Sequence, residues 1–363
     1  MSGAGRAGSL DALVAERAVI VCAGPGGVGK TTVAAVIALG AARLGRRACV
    51  ITVDPAKRLA DAMGVATLTN VPAPVGGDFP GSLHALMLDT KGTFDDLVAR
   101  YARSEAQAEA IRQNRIYRDL TGMLSGTQEY MAMEKLYELT ESGQFDLVVV
   151  DTPPTRNALD LLDAPRRLTR FLDNRLFRAL LAPTRASLRV LSLATRALLR
   201  TISRVAGAEI VQDAVDFFRA FEGMEEGFSE RAVAVRRLLA DPSTAYVLIT
   251  SPRPDSIEET AYFATKLIET GVAPAALVVN RVHPLFNPVD AGTAVGPGAL
   301  AALLANHERL TRTVAAENEA LAALVEELPA CPVSRVPLLA GDVHDLEGLG
   351  TLADLLFADA PVG

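Results

Sequence analysis

Residues 24–32 read Gly-Pro-Gly-Gly-Val-Gly-Lys-Thr-Thr, and no other stretch constrains the chain as much. Gly24, Gly29, Lys30 and Thr31 meet the pattern G-x-x-x-x-G-K-[ST] of a phosphate-binding loop. An apolar run over 19–23 precedes the loop, and a helix-like segment over 33–44 follows it. Strand, glycine-rich turn and helix in that order bring backbone N–H groups and a helix N-terminus to one point, where an anion is stabilised. Gly26, Gly27, Val28, Gly29 and Thr32 complete the cradle. Lys30 is expected to reach the β- and γ-phosphates, and Thr31 to ligate Mg²⁺.

The rest of the chain repeats the strand–helix rhythm. Short apolar runs lie at 48–53, 83–88, 145–150, 245–250 and 275–279, with a weaker one at 331–336. Several are apolar throughout, as strands buried on both faces are. The expected fold is therefore α/β, with a mostly parallel central sheet covered by helices on both faces. The Gly- and Pro-rich stretch 71–81 reads as a loop. Two intervals, about 93–142 and 156–239, hold no strand candidate and read as a helical subdomain, the longer part inserted directly after Asp151. Residues 1–15 read as a flexible tail, and 16–363 as a single domain carrying that subdomain.

Composition removes several function classes. The formal net charge is −7, which argues against general nucleic-acid binding. The three cysteines, Cys22, Cys49 and Cys331, form no C-x-x-C pair, so neither a disulfide framework nor a zinc site is expected. His84, His283, His307 and His344 lack ligand spacing and read as structural. No signal peptide or uncharged apolar stretch of membrane-spanning length is present, so the expected location is cytoplasmic.

Three strand ends carry polar residues suited to phosphate chemistry: Asp54 in Val-Asp-Pro-Ala-Lys-Arg-Leu-Ala-Asp-Ala, Asp151 in Asp-Thr-Pro-Pro-Thr, and Asn280 in Val-Val-Asn. Singly, each is an ordinary cap or turn residue. Together with the loop, and with Val336-Pro337-Leu338-Leu339 and Leu346-Glu347-Gly348-Leu349 near the end, they resemble the arsenical-pump and tail-anchored-protein-targeting ATPases, the ArsA family. The resemblance runs in order over almost the whole chain. It implies a P-loop ATPase using ATP and Mg²⁺, with Asp54 as the switch I aspartate that orients or deprotonates the attacking water. It implies Asp151 as the switch II aspartate, near Mg²⁺ through water, Asn280 as an adenine contact, and Pro337 against the nucleotide. The segment after Asn280 is Arg-Val-His and not a guanine-reading Lys-x-Asp, which favours ATP.

The departures are as informative. Pro25 occupies the place where relatives usually carry a lysine that reaches the partner subunit's nucleotide. Proline supplies no charge and no N–H. Three readings stay open: a heterodimer with a paralogue that keeps the lysine, a homodimer with slow or switch-like hydrolysis, or replacement by another cation such as Lys57 or Arg58. The heterodimer is preferred, because it restores a cation without altering the motif. Residues 285–288, Leu-Phe-Asn-Pro, replace the zinc-binding C-x-x-C of one branch, and the soft cysteine set of the other is missing, so no zinc or arsenite site is expected. Between Arg166 and Arg204 stand ten arginines and one acid, Asp173, with Arg185, Arg189, Arg196, Arg200 and Arg204 on one helical stripe. Such a helix suits an acidic membrane surface, a hydrophobic-helix client helped by Met123, Met131 and Met133, or plain packing against the core. Alternative functions are the energy subunit of an anion-export system, or a positioning ATPase of the ParA/MinD type.

Overall fold

The computed structural model describes residues 9–53, 58–118, 127–153, 208–285 and 298–357. The chain divides into two compact units: Met1–Met87, Leu139–Leu159 and Pro242–Gly363 form one, and Leu88–Glu138 with Asp160–Asp241 the other.

The first unit is built on an eight-stranded sheet. In chain order the strands are β1 (Val19–Ala23), β2 (Arg47–Thr52), β3 (Ala73–Val75), β4 (Ser82–Met87), β5 (Leu147–Asp151), β6 (Thr244–Thr250), β7 (Ala276–Val282) and β8 (Val333–Pro337). In space they run β3-β4-β2-β5-β1-β6-β7-β8, and every pairing is parallel except β3 with β4. The sheet is thus mostly parallel, as the apolar runs imply. β1 lies centrally, in register with β5 through Cys22↔Asp151 and with β6 through Ala23↔Leu248. Neighbouring strands leave β1 in opposite directions, which opens a crevice at the carboxyl ends where such sheets bind ligands.

Within the loop expected over 71–81, residues Ala73–Val75 form the short strand β3, and the rest is irregular. Pro74 has no N–H to donate, so it reads as a strand breaker, yet β3 is the outermost strand, where a missing donor costs no ladder bond. A second correction falls at the N-terminus. Of the tail expected over 1–15, residues 1–8 lie outside the described residues, and from Leu10 on the chain forms helix α1 (Leu10–Glu16), capped by the Ser9 hydroxyl on the Ala12 N–H and burying Leu10, Leu13 and Val14.

Helix α2 (Lys30–Arg43) follows the glycine loop and is buried from Val33 to Ala42 on all sides. Small residues make this possible: alanines and Gly40 let neighbours approach closely, and a Cβ on Gly40 would sit 2.5 Å from the Phe357 ring. Valines and isoleucines of α2 join Ile20, Val50, Val149, Val247 and Val278 in the main core, and each fully buried side chain stabilises the fold by about 1.5–3 kcal/mol. The alternate strand residues Val21, Ile51, Val150, Leu248 and Val279 are buried as well, so both sheet faces are covered. The unit is completed by α3 (Arg58–Ala62), α9 (Pro254–Glu269), α10 (Ala299–Glu327) and α11 (Leu346–Phe357); α9 packs on β6, and α11 on α2.

The described part of the second unit is helical: α4 (Thr90–Tyr101), α5 (Glu105–Gln113), most of α6 (Thr127–Glu141), α7 (Ala208–Ala220) and α8 (Glu225–Leu239). An aromatic cluster of Phe94, Tyr101, Tyr117, Phe217, Phe221 and Phe228 forms its centre. Beside it the buried Arg231 guanidinium meets the buried Glu134 carboxylate at 2.5 Å. Burial pushes the Glu134 carboxyl up, against the pull of Arg231. Met131 and Met133 are fully buried packing residues here, not a client-facing surface. Met123 and the arginine stripe lie outside the described residues.

At the start of β2, Asp146 accepts from the Arg47 main-chain N–H at 2.8 Å and from its guanidinium at 2.6 Å. These hydrogen bonds hold the Asp146 carboxyl down at about 2. A depressed carboxyl stabilises the fold above the ordinary carboxylate range and loses that contribution as pH falls through about 2. Both side chains are solvent-accessible, so screening limits the effect. Asp146→Asn is expected to cost under about 1 kcal/mol at pH 7, with the gap to the wild type closing between about pH 4 and about pH 2. Urea titrations at three pH values across that range check it.

Candidate nucleotide site

The glycine loop leaves β1 at its carboxyl end, and its glycines are required by contact as well as by conformation. A Cβ on Gly24 would lie 2.0 Å from the Ile249 carbonyl oxygen. Gly29 has φ 92°, and a Cβ there would lie 2.3 Å from Nδ2 of Asn280. The loop is therefore pressed against the ends of β6 and β7. Gly26 and Gly27 at its tip are exposed, whereas Pro25 is buried.

Behind the loop, three chain-distant residues converge. Thr31 donates its hydroxyl to Asp151 Oδ2 at 2.6 Å, and Thr52 donates to the same oxygen at 2.9 Å. Asp151 is almost fully buried at the end of β5. Lys30 is also buried, its ammonium on the Pro25 carbonyl at 2.8 Å. The neighbouring Thr152 hydroxyl donates to the Cys22 carbonyl at 2.8 Å, fastening the end of β5 to β1. Burial, aided by the Asp151 carboxylate, pushes the Cys22 thiol well above its usual value, so that thiol is a packing group.

Asn280 stands at 7% exposure, its amide donating to the Val28 carbonyl at 2.8 Å and accepting from the Arg281 N–H at 2.9 Å. A cavity of about 640 Å³ opens here, lined by Gly27, Gly29, Lys30, Thr31, Thr32 and Asp151, together with Asn280 and Pro337. The structure thus brings the loop, Lys30, Thr31, Asp151, Asn280 and Pro337 to one place. Asp54 and Lys57 lie outside the described residues, as does the side chain of Arg58. The sequence pattern overlooks Thr52 and Arg281, whose roles depend on partners far away in the chain.

A hydroxyl and a carboxylate 2.6 Å apart form a hard-oxygen pair, the chemistry Mg²⁺ takes when phosphate oxygens and water fill its other positions. Among the described residues, no group of three or more His, Cys, Asp or Glu could hold a metal alone. A site of this kind is completed by the nucleotide. No helix among the described residues is long and apolar enough to cross a membrane.

A glycine loop between a central parallel strand and a buried helix, with a lysine, a threonine and a strand-end aspartate behind it, defines a P-loop nucleotide-binding protein. Comparison with known proteins narrows the class. A model described as anion-transporting ATPase matches residues 17–358. An uncharacterised protein of Streptomyces coelicolor is 34% identical over 272 residues, 75% of this chain and 64% of that protein, so the chain spans just under two thirds of that relative's length. ATPase GET3 of Malassezia globosa is 25% identical over 343 residues, 93% of this chain and 90% of that protein. An Aquifex aeolicus protein named for an arsenical pump-driving ATPase is 23% identical over 349 residues, 94% and 79% of the two chains. The chain belongs to the anion-transporting ATPase family, a family of P-loop ATPases.

Gly24→Ala is expected to destabilise the protein by about 2–3 kcal/mol, because the clash is with main-chain atoms that no side-chain rotation relieves. Scanning calorimetry reads it as a lowered melting temperature.

Proposed function

We propose that this chain is a Mg²⁺-dependent ATP hydrolase that works as a dimeric switch, with ATP binding coupled to rearrangement of its helical unit. The observation that carries the reading is the Thr31–Asp151 pair, which lines one cavity together with the glycine loop. In this reading Thr31 and Asp151 would hold Mg²⁺, Asp151 through water, and the ion would supply positive charge against that developing on the transferred phosphoryl group. Lys30 exchanges the neutral Pro25 carbonyl for phosphate oxygens, a stronger charge-assisted contact. The N–H groups of Gly26 to Thr32 receive the remaining oxygens. Asp54 orients or deprotonates water, and Asn280 and Pro337 contact the base.

Pro25 bears on the partner. A charge supplied by a second subunit is worth on the order of a thousandfold or more in phosphoryl transfer, and this chain offers none at that position. Pairing with a paralogue that retains the lysine fills the gap, and it is the preferred assembly over a homodimer. The expected client is a hydrophobic helix or membrane surface, received by the helical unit. A second reading, the energy subunit of an anion-export system, is favoured by the description of the family and by the relative named for arsenical pumping. All three cysteines of this chain are buried, which counts against metalloid activation through them.

Asp54→Asn should keep ATP binding while lowering phosphate release at least about a hundredfold, the scale of a lost general base. Lys30→Ala should instead lose the binding itself. Calorimetric titration beside a phosphate-release assay separates the two, and an Asp54→Asn protein that hydrolyses normally overturns the assignment. Sedimentation of the lone chain with ATP and Mg²⁺ addresses the assembly. A fast-hydrolysing homodimer would sink the heterodimer preference.

A further inference from the structure

Arg281 sits at the end of β7 with φ 63°, and it is the one non-glycine residue with positive φ among the described residues. A side chain with a Cβ resists that left-handed conformation, and where it persists the surroundings hold it in place. The pairing of β7 with β8 shifts register at the same point, between Val279 and Val282. The turn sends the guanidinium back over the glycine loop, where Nη1 donates to the Gly27 carbonyl at 2.9 Å. Asn280 grips the next carbonyl, that of Val28, at 2.8 Å. The Arg281 N–H in turn holds the Asn280 side-chain oxygen at 2.9 Å, fixing the amide's orientation.

Two successive peptide units of the loop are therefore clasped by their carbonyls. In a trans peptide the carbonyl and the N–H point in opposite directions. Gripping Gly27 and Val28 by their oxygens turns the N–H groups of Val28 and Gly29 away from the clasp. Among the described residues neither N–H donates to a main-chain carbonyl, so both remain for a ligand. Arg281 also lines the cavity.

We propose that Arg281 is a positioning residue: through the Gly27 carbonyl it presets the loop so that the Val28 and Gly29 N–H groups already face the phosphates before nucleotide arrives. The left-handed backbone is what this placement requires. The inference rests on the nucleotide reading above and assigns a determinant of its phosphate affinity outside the loop motif. Arg281 is exposed, so screening weakens its long-range charge and the hydrogen-bonded geometry carries the effect.

The test uses the full chain and two probes, Mg·ADP and adenosine, titrated against wild type, Arg281→Gly and Arg281→Lys. Arg281→Gly relaxes the backbone but removes the guanidinium. It is expected to bind Mg·ADP about tenfold to a hundredfold more weakly, the value of a charge-assisted hydrogen bond, with adenosine affinity unchanged. Arg281→Lys, which keeps a donor, should recover part of the loss. Unchanged Mg·ADP affinity in Arg281→Gly overturns the proposal, as does a loss shared equally by adenosine, which would mark collapse of the site. A wild-type chain that binds neither probe overturns the nucleotide reading itself, and this inference with it.

Discussion

The carboxylate of Asp151 is the point on which the site depends. One of its oxygens receives the hydroxyls of Thr31 and Thr52, so the start of α2, the end of β2 and the end of β5 are tied at a single atom. Those elements are far apart in the chain, and parallel pairing across the sheet centre brings them together. A buried carboxylate with only apolar neighbours would be costly. Here two hydroxyls satisfy one of its oxygens, Oδ2, and in the proposed reading the same arrangement serves as a hard-oxygen site beside the glycine loop. In that reading stability and chemistry share the same contact.

The loop itself is held from two sides. From β6, the Ile249 carbonyl leaves no room for a side chain at Gly24. From β7, Asn280 and Arg281 hold the Val28 and Gly27 carbonyls. A loop rich in glycine would otherwise sample many backbone states. Anchoring its base sterically and its tip by hydrogen bonds lowers the entropy lost when a polyphosphate binds. The residue that departs from the family's pattern, Pro25, is buried at the base and leaves the exposed tip to Gly26 and Gly27.

Much of this was legible in residue order because each element carried its own local signal. All seven apolar runs became strands, the continuous β-branched and aliphatic ones because a sheet buried on both faces requires them. β3 was not legible: its proline is compatible with a strand only at an edge, and which strand is the edge is decided by the whole sheet. α1 was hidden by the Gly- and Ala-rich sequence before it, though Ser9 is a legitimate cap. In the site, Lys30 and Thr31 announce themselves by fixed spacing. Arg281 does not, because its partner Gly27 is 254 residues away and nothing local marks the encounter.

By itself the sequence determined that a parallel α/β sheet carries a phosphate-binding loop of a recognisable family, because strand runs, glycine spacing and a lysine–threonine pair are local properties of the chain. Only the tertiary structure decided how that loop is seated. Sheet order set Asp151 and Thr52 behind Thr31, and a left-handed turn at the end of β7 set Arg281 upon Gly27. Contacts of such long sequence separation arise from strand neighbours and close packing, which no pattern within a single segment encodes.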